Sequence, residues 1–251
     1  MKKKFIILSI IIGVPIVLSI GIAVFVPGLP LYLIYKDKFP NAHVQLAEFS
    51  SYDVRFDSDA KTQIIEMEDI TAQVPADFSL RKEGVSPAVY RCEDNDDLLF
   101  AITTPTQEEF NLVENVIEIA EKRGKNEKDA VRMFTSLGID PPETRFDFLS
   151  TTHSLTWEDF NIKSFTASMS FVVMALGKEV FYSAVSKENA LYYENEYIKG
   201  FIYTEKHNEN SSLTKYTCDF FYADDGNKNF LIIMTAPDEQ TACAFINSIR
   251  T

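Results

Sequence analysis

Three histidines, three cysteines and two acidic runs are the residues of this 251-residue chain whose types could do chemistry. His43, His153 and His207 lie more than 50 residues apart. No H-x-x-x-H pair or Cys–His pairing places two of them on one helical face, as a zinc site would need. Cys92, Cys218 and Cys243 are too few and too scattered for a disulfide-stapled module. They read as three buried thiols, with Cys92–Cys218 pairing as the alternative. Glu93–Asp97 offers hard oxygen ligands, yet it lacks the glycine and distal glutamate of an EF-hand loop. A charged hairpin tip explains it without an ion, and turn chemistry explains Asp224-Asp225-Gly226-Asn227 in the same way. There is no G-x-S-x-G, P-loop or G-x-G-x-x-G, and nine glycines leave little room for phosphate cradles. Catalytic, cofactor-binding and metal-binding residues are therefore expected to be none.

The most promising surface is aromatic. Tyr192, Tyr193 and Tyr197, followed by Phe201 and Tyr203, sit in strand-like sequence with interleaved Glu194 and Glu196. Alternation sends one subset inward, either Tyr193 with Tyr197 or Tyr192 with Ile198. The opposite subset can form a Tyr/acid patch for a partner or a glycan. Cross-strand core packing is the competing explanation. Trp157, beside Glu158 and Asp159, reads as packing a loop against the core.

Charge narrows the partners. The chain carries −13 overall. Residues 1–38 hold five lysines against Asp37, so residues 39–251 carry −17. A domain this acidic repels phosphate backbones, which argues against nucleic acid.

Phe5 to Val26 run without a charge and at 1.5 Å per residue would span about 33 Å, enough for a hydrocarbon core. The run exceeds a cleaved signal peptide's apolar region and lacks an A-x-A-like site. The expectation is a single-pass signal-anchor in a bacterial-type cell membrane. Lys2, Lys3 and Lys4 would orient it, with the N-terminus cytoplasmic and the C-terminal domain extracytoplasmic. The organisation predicted is a tip over 1–4, a transmembrane helix over 5–26, an interfacial segment and stalk over 27–61, and one α/β domain over 62–251.

Within that domain Ile70, Ala72 and Val74 alternate with polar residues up to Pro75. Ala88–Cys92 and Leu98–Thr103 flank the acidic run as a hairpin. Thr106 and Glu109 suggest a capping box ahead of Phe110, Val113, Val116, Ile117 and Ala120. Asn126 can cap a second helix through Leu137, and Pro142 opens a short third one. Ser164–Leu176 reads as a buried helix. Leu191–Tyr197, Ile198–Thr204 and Tyr216–Tyr222 read as strands. Asp225-Gly226 reads as a turn into Asn229–Thr235, and Ala242, Phe245, Ile246 and Ile249 as a closing amphipathic helix. This is an α+β pattern, an antiparallel sheet covered by helices.

Ile70-Thr-Ala-Gln-Val-Pro-Ala-Asp-Phe78 resembles the opening strand of PsbP-like α/β/α domains. Phe230-Leu-Ile-Ile-Met-Thr-Ala with Phe245-Ile-Asn-Ser-Ile249 is similar to their final strand and helix. The resemblance covers roughly 62–250 and implies an α/β/α sandwich. It also implies a non-enzymatic accessory or binding role, with a membrane or envelope protein as partner. A lipid or small apolar ligand binder and a carboxylate-dependent hydrolase are the alternative functions.

Overall fold

The computed structural model describes residues 21, 24–49, 54–56, 61–80, 87–95, 97–119, 126–185, 189–206 and 212–251. The chain groups into two compact units. The first comprises residues 1–45, 111–141 and 155–180, and the second 46–110, 142–154 and 181–251.

The first unit is helical: α1 (Leu29–Tyr35), α2 (Leu112–Ile119), α3 (Glu127–Ser136) and the greater part of a 21-residue helix, Phe165–Val185. Asn126 caps α3 as its sequence predicts. Its side chain accepts from the Asp129 amide at 3.2 Å, and the Asp129 carboxylate accepts from the Asn126 amide. The box predicted at Thr106–Glu109 does not form. Asn111 takes over as the start of α2, its side chain accepting from the Glu114 amide at 3.1 Å, and Phe110 lies outside the helix. Tyr32 of α1 packs on Trp157 (5.6 Å between ring centroids) and Phe160 (5.5 Å), and Trp157 on Phe171 (4.7 Å). The Gly28 amide donates to Ile162 O at 2.9 Å. A Cβ at Gly28 would stand 2.0 Å from Ser168 Oγ, so only glycine permits this approach.

These contacts correct the membrane expectation. Within the expected interfacial segment, Leu31–Tyr35 belong to a helix whose Tyr32 packs into protein. Among the described residues, no helix is long and apolar enough to cross a membrane. Phe165–Val185 is long enough but carries Lys178 and Glu179. Most of the expected span, 5–26, and the orienting Lys2, Lys3 and Lys4 lie outside the described residues. The transmembrane helix, the single-pass topology and the cell-membrane localisation are accordingly withdrawn.

The second unit holds every strand among the described residues. The large sheet runs β1 (Ala47–Glu48), β8 (Asn189–Glu194), β9 (Ile198–Lys206), β10 (Thr214–Tyr222), β11 (Asp225–Ala236), β6 (Leu99–Ile102), β5 (Ala88–Cys92) and β4 (Phe78–Leu80), with β7 (Thr106–Gln107) also on β11. It is mixed rather than antiparallel throughout, because β1 joins β8 in parallel. The β10–β11 turn is Ala223-Asp224, two residues earlier than predicted. Asp225-Gly226 already belongs to β11, and Gly226 is required there because a Cβ would meet Thr144 Oγ1 at 2.5 Å. A separate hairpin pairs β2 (Thr62–Met67) with β3 (Ile70–Pro75). One face of the sheet joins this hairpin and the closing helix, Glu239–Asn247, in the main core through Phe100, Ile202, Cys218, Phe220, Ile232, Phe245 and Ile249. Arg145–Ser154 lies against the other face, where Phe146 stacks on Phe201 (5.7 Å).

Candidate functional site

The β2–β3 hairpin sets one wall of a solvent-open groove. Ile65, Ile70, Ala72 and Val74 are buried, while Ile64 on the opposite parity is 65% exposed. The hairpin turns at Glu68-Asp69, where Glu68 takes a φ of 53°. The Asp69 carboxylate accepts from Lys228 Nζ and from the Tyr222 hydroxyl, anchoring the tip to β10 and β11. These bonds, Lys228 foremost, hold the Asp69 carboxyl below the usual carboxylate range.

The opposite wall is the C-terminal helix and the residues after it. Ser248 Oγ accepts from the Gln73 amide at 2.8 Å, and the Arg250 and Thr71 backbones exchange both hydrogen bonds at 2.9 Å. Asn247 Nδ2 donates to Val54 O at 2.9 Å, and Phe56 meets Phe245 edge-on at 5.2 Å, which brings residues 54–56 alongside. The resulting groove, about 250 Å³, is lined by Arg55, Phe56, Ile64, Thr71, Ala72, Gln73, Ala244, Asn247, Ser248 and Arg250. No aspartate or glutamate is among these described lining residues.

Arg250 is held in place. Its Nη1 donates to Asn247 O and Ile249 O, each at 2.7 Å, and its guanidinium lies 4.6 Å from the Tyr197 ring centroid. Both hydrogen bonds use one nitrogen, so the Nε–Nη2 edge of the fork keeps its donors for a bidentate acceptor.

The structure divides the expected aromatic patch. Tyr193 and Tyr197 stand behind the groove: the Tyr193 hydroxyl donates to Asn247 Oδ1 at 2.8 Å, and Tyr197 supports Arg250. Tyr192, Phe201 and Tyr203 take the other parity and lie on the opposite face of the sheet, with Phe201 and Tyr203 buried. There His153, also buried, meets the Tyr203 hydroxyl through Nε2 at 3.0 Å and packs on Phe201 (4.7 Å) and Phe181 (4.9 Å). Burial pushes the Tyr203 hydroxyl well above its ordinary value. On the same face Asp219 is buried, accepts from Asn229 Nδ2 at 2.9 Å, and is raised by desolvation.

The remaining chemistry-bearing residues stand apart. His43 is exposed in the first unit, and His207 lies outside the described residues. All three cysteines are buried thiols outside any disulfide, with burial pushing the Cys218 thiol up and Cys243 to about 11. Among the described residues, no three His, Cys, Asp or Glu side chains gather where they could hold a metal ion. In the run 93–97 Asn95 Oδ1 accepts from the Asp97 amide at 3.1 Å, which is turn chemistry. Asp96 is outside the described residues.

No sequence reading singled out Arg55 or Arg250. An isolated arginine carries no spacing signal, and the groove joins residues nearly 200 positions apart. Lys178 was equally unmarked. It is fully buried in the first unit, with Nζ donating to Val44 O at 2.7 Å and Leu155 O at 2.8 Å, and desolvation lowers it to about 8.

No family model matches the chain. No curated protein matches it either. A crystal structure from Bacteroides thetaiotaomicron VPI-5482 is 12% identical, with a TM-score of 0.37 over 76% of this chain and 48% of that one. The chain thus spans about half the length of that protein. At that TM-score the likeness carries no argument about function.

Proposed function

We propose that the chain is a non-enzymatic binding module whose basic groove holds an anionic group of its ligand. The observation that carries this reading is the Arg250 guanidinium in the groove lining, held through Nη1 and the Tyr197 ring with its Nε–Nη2 edge left for an acceptor. A guanidinium fixed by two carbonyls and an aromatic ring loses little further entropy on meeting an oxyanion, so more of the contact energy appears as affinity. Among the described lining residues are the hydroxyls of Ser248 and Thr71 but no histidine, lysine or carboxylate to act as a base, which favours binding over hydrolysis. Its mixed polar surface favours a charged ligand over a lipid. A binding role is also what the resemblance to PsbP-like domains implies.

The test is a titration of the full chain with acetate and, separately, inorganic phosphate at fixed ionic strength, followed by amide NMR. Shifts concentrated at Thr71, Gln73, Ser248 and Arg250 with at least one anion support the reading. Shifts spread evenly over the surface, or none with either anion, overturn it.

A further inference from the structure

We infer that the outer edge of β2 pairs with the same edge of a second copy of this chain, antiparallel and centred on Ile64. Thr71 and Gln73 turn their amides away from β2, toward Arg250 O and Ser248 Oγ. Their cross-strand partners are Glu66 and Ile64. In an antiparallel ladder both members of such a pair direct their peptide groups outward. Alternation adds Thr62, so Thr62, Ile64 and Glu66 present N–H and C=O along the far side of β2. Among the described residues β2 pairs with β3 and with no other strand.

The fold keeps the ends of its large sheet short. They are β1 and β4, two and three residues long, and edges that short offer little to an incoming strand. β2 has six residues, none of them proline or lysine, and Ile64 in its middle is 65% exposed. That is an edge built to be paired.

The strand also fits itself. Centring on Ile64 sets it against Ile64 of the second copy and Thr62 against Glu66, so every outward donor meets an acceptor. A shift by one residue would pair Glu66 or Thr62 with a residue beyond the strand. No like charges stand opposite one another. Lys61 precedes the strand, while Glu66 and Glu68 lie at its end. The two-fold therefore brings the basic end of each copy beside the acidic end of the other. Ile64 against Ile64 removes apolar surface from water.

Sedimentation equilibrium of the full chain from about 1 μM to 1 mM should show monomer and dimer in exchange. Ile64→Lys and Ile64→Glu, changes at an exposed side chain, should each weaken the dimer by about tenfold or more. The two variants mixed should pair again, which also shows that both fold. Amide exchange reads the register. Thr62, Ile64 and Glu66 should gain protection as concentration rises, while Gln63 and Ile65, already bonded to β3, should not change. A wild-type monomer throughout that range overturns the inference and leaves the edge to a strand of another protein. A dimer that persists unweakened in both single variants overturns it too, because the copies then meet elsewhere.

Discussion

Arg250 and Thr71 exchange both backbone hydrogen bonds, each at 2.9 Å, so the end of the chain is stitched to a hairpin formed far earlier in sequence. One wall of the groove therefore exists only once the main core has assembled. Ile249, fully buried between these bonds and the closing helix, and Arg250, exposed, then have separable roles.

Ile249→Ala should cost about 2–5 kcal/mol of stability, the usual range for truncating a buried isoleucine. Arg250→Ala should cost no more than about 1 kcal/mol, the size of an exposed cation–π contact, yet lower affinity for the bound anion about tenfold or more. Urea unfolding and calorimetry on the two variants would show this split. Equal effects of both variants on both measurements would count against it.

Gly28→Ala should destabilise the first unit by about 1–3 kcal/mol, the cost of overpacking a close contact, because the new methyl falls on Ser168 Oγ and near Ile162 Cα. Ser168→Ala in the same chain should recover part of the loss and leave the Ile162 contact. Trp157 fluorescence during denaturant unfolding reports on this unit directly. An unchanged midpoint for Gly28→Ala would show that the approach is not tight.

Lys178 sets a pH dependence. Its folded-state value is about 8 against 10.5 for the free side chain. Between those values the unfolded chain holds a proton that the folded chain has released, so stability should rise with pH across this window and be lost as pH falls toward 8. From pH 8 to 9.5 the gain should reach up to about 2 kcal/mol, at 1.36 kcal/mol per unit. Lys178→Met, which has nothing to titrate, should lack the increment. Chemical denaturation of both proteins at several pH values in that window would check it.

Asp219 acts in the opposite sense. Burial raises its carboxyl above 3.8, so the stability it contributes is full below that value and lost as pH climbs through its folded-state value. Asp219→Asn keeps an oxygen for Asn229 Nδ2. The variant should match wild type near pH 4 and exceed it in stability at pH 7. Parallel stability curves for the two proteins across pH 4 to 7 would defeat this expectation.

Local chemistry was legible wherever it acted within a few residues. Val74 and Ala72 alternate into the core, Asn126 caps its helix, and Ala88–Cys92 pairs across the acidic turn with Leu99–Ile102, all from short-range pattern. Thr106 misled because tertiary structure outbid the local cap: its hydroxyl donates to Asn229 Oδ1 at 2.9 Å, across the sheet. The parity of the Tyr192–Tyr203 segment was not legible, since both faces of the sheet are covered and either register buries aromatics. Lys178 was hidden in a helix that reads as apolar, because its charge is met by carbonyls of Val44 and Leu155 that no spacing within the helix announces. The groove was invisible for the same reason. Residues 55, 64, 71–73 and 244–250 share no periodicity, so sequence alone determined the elements that carry them. Only packing of the hairpin against the closing helix brought Arg55 and Arg250 to one groove.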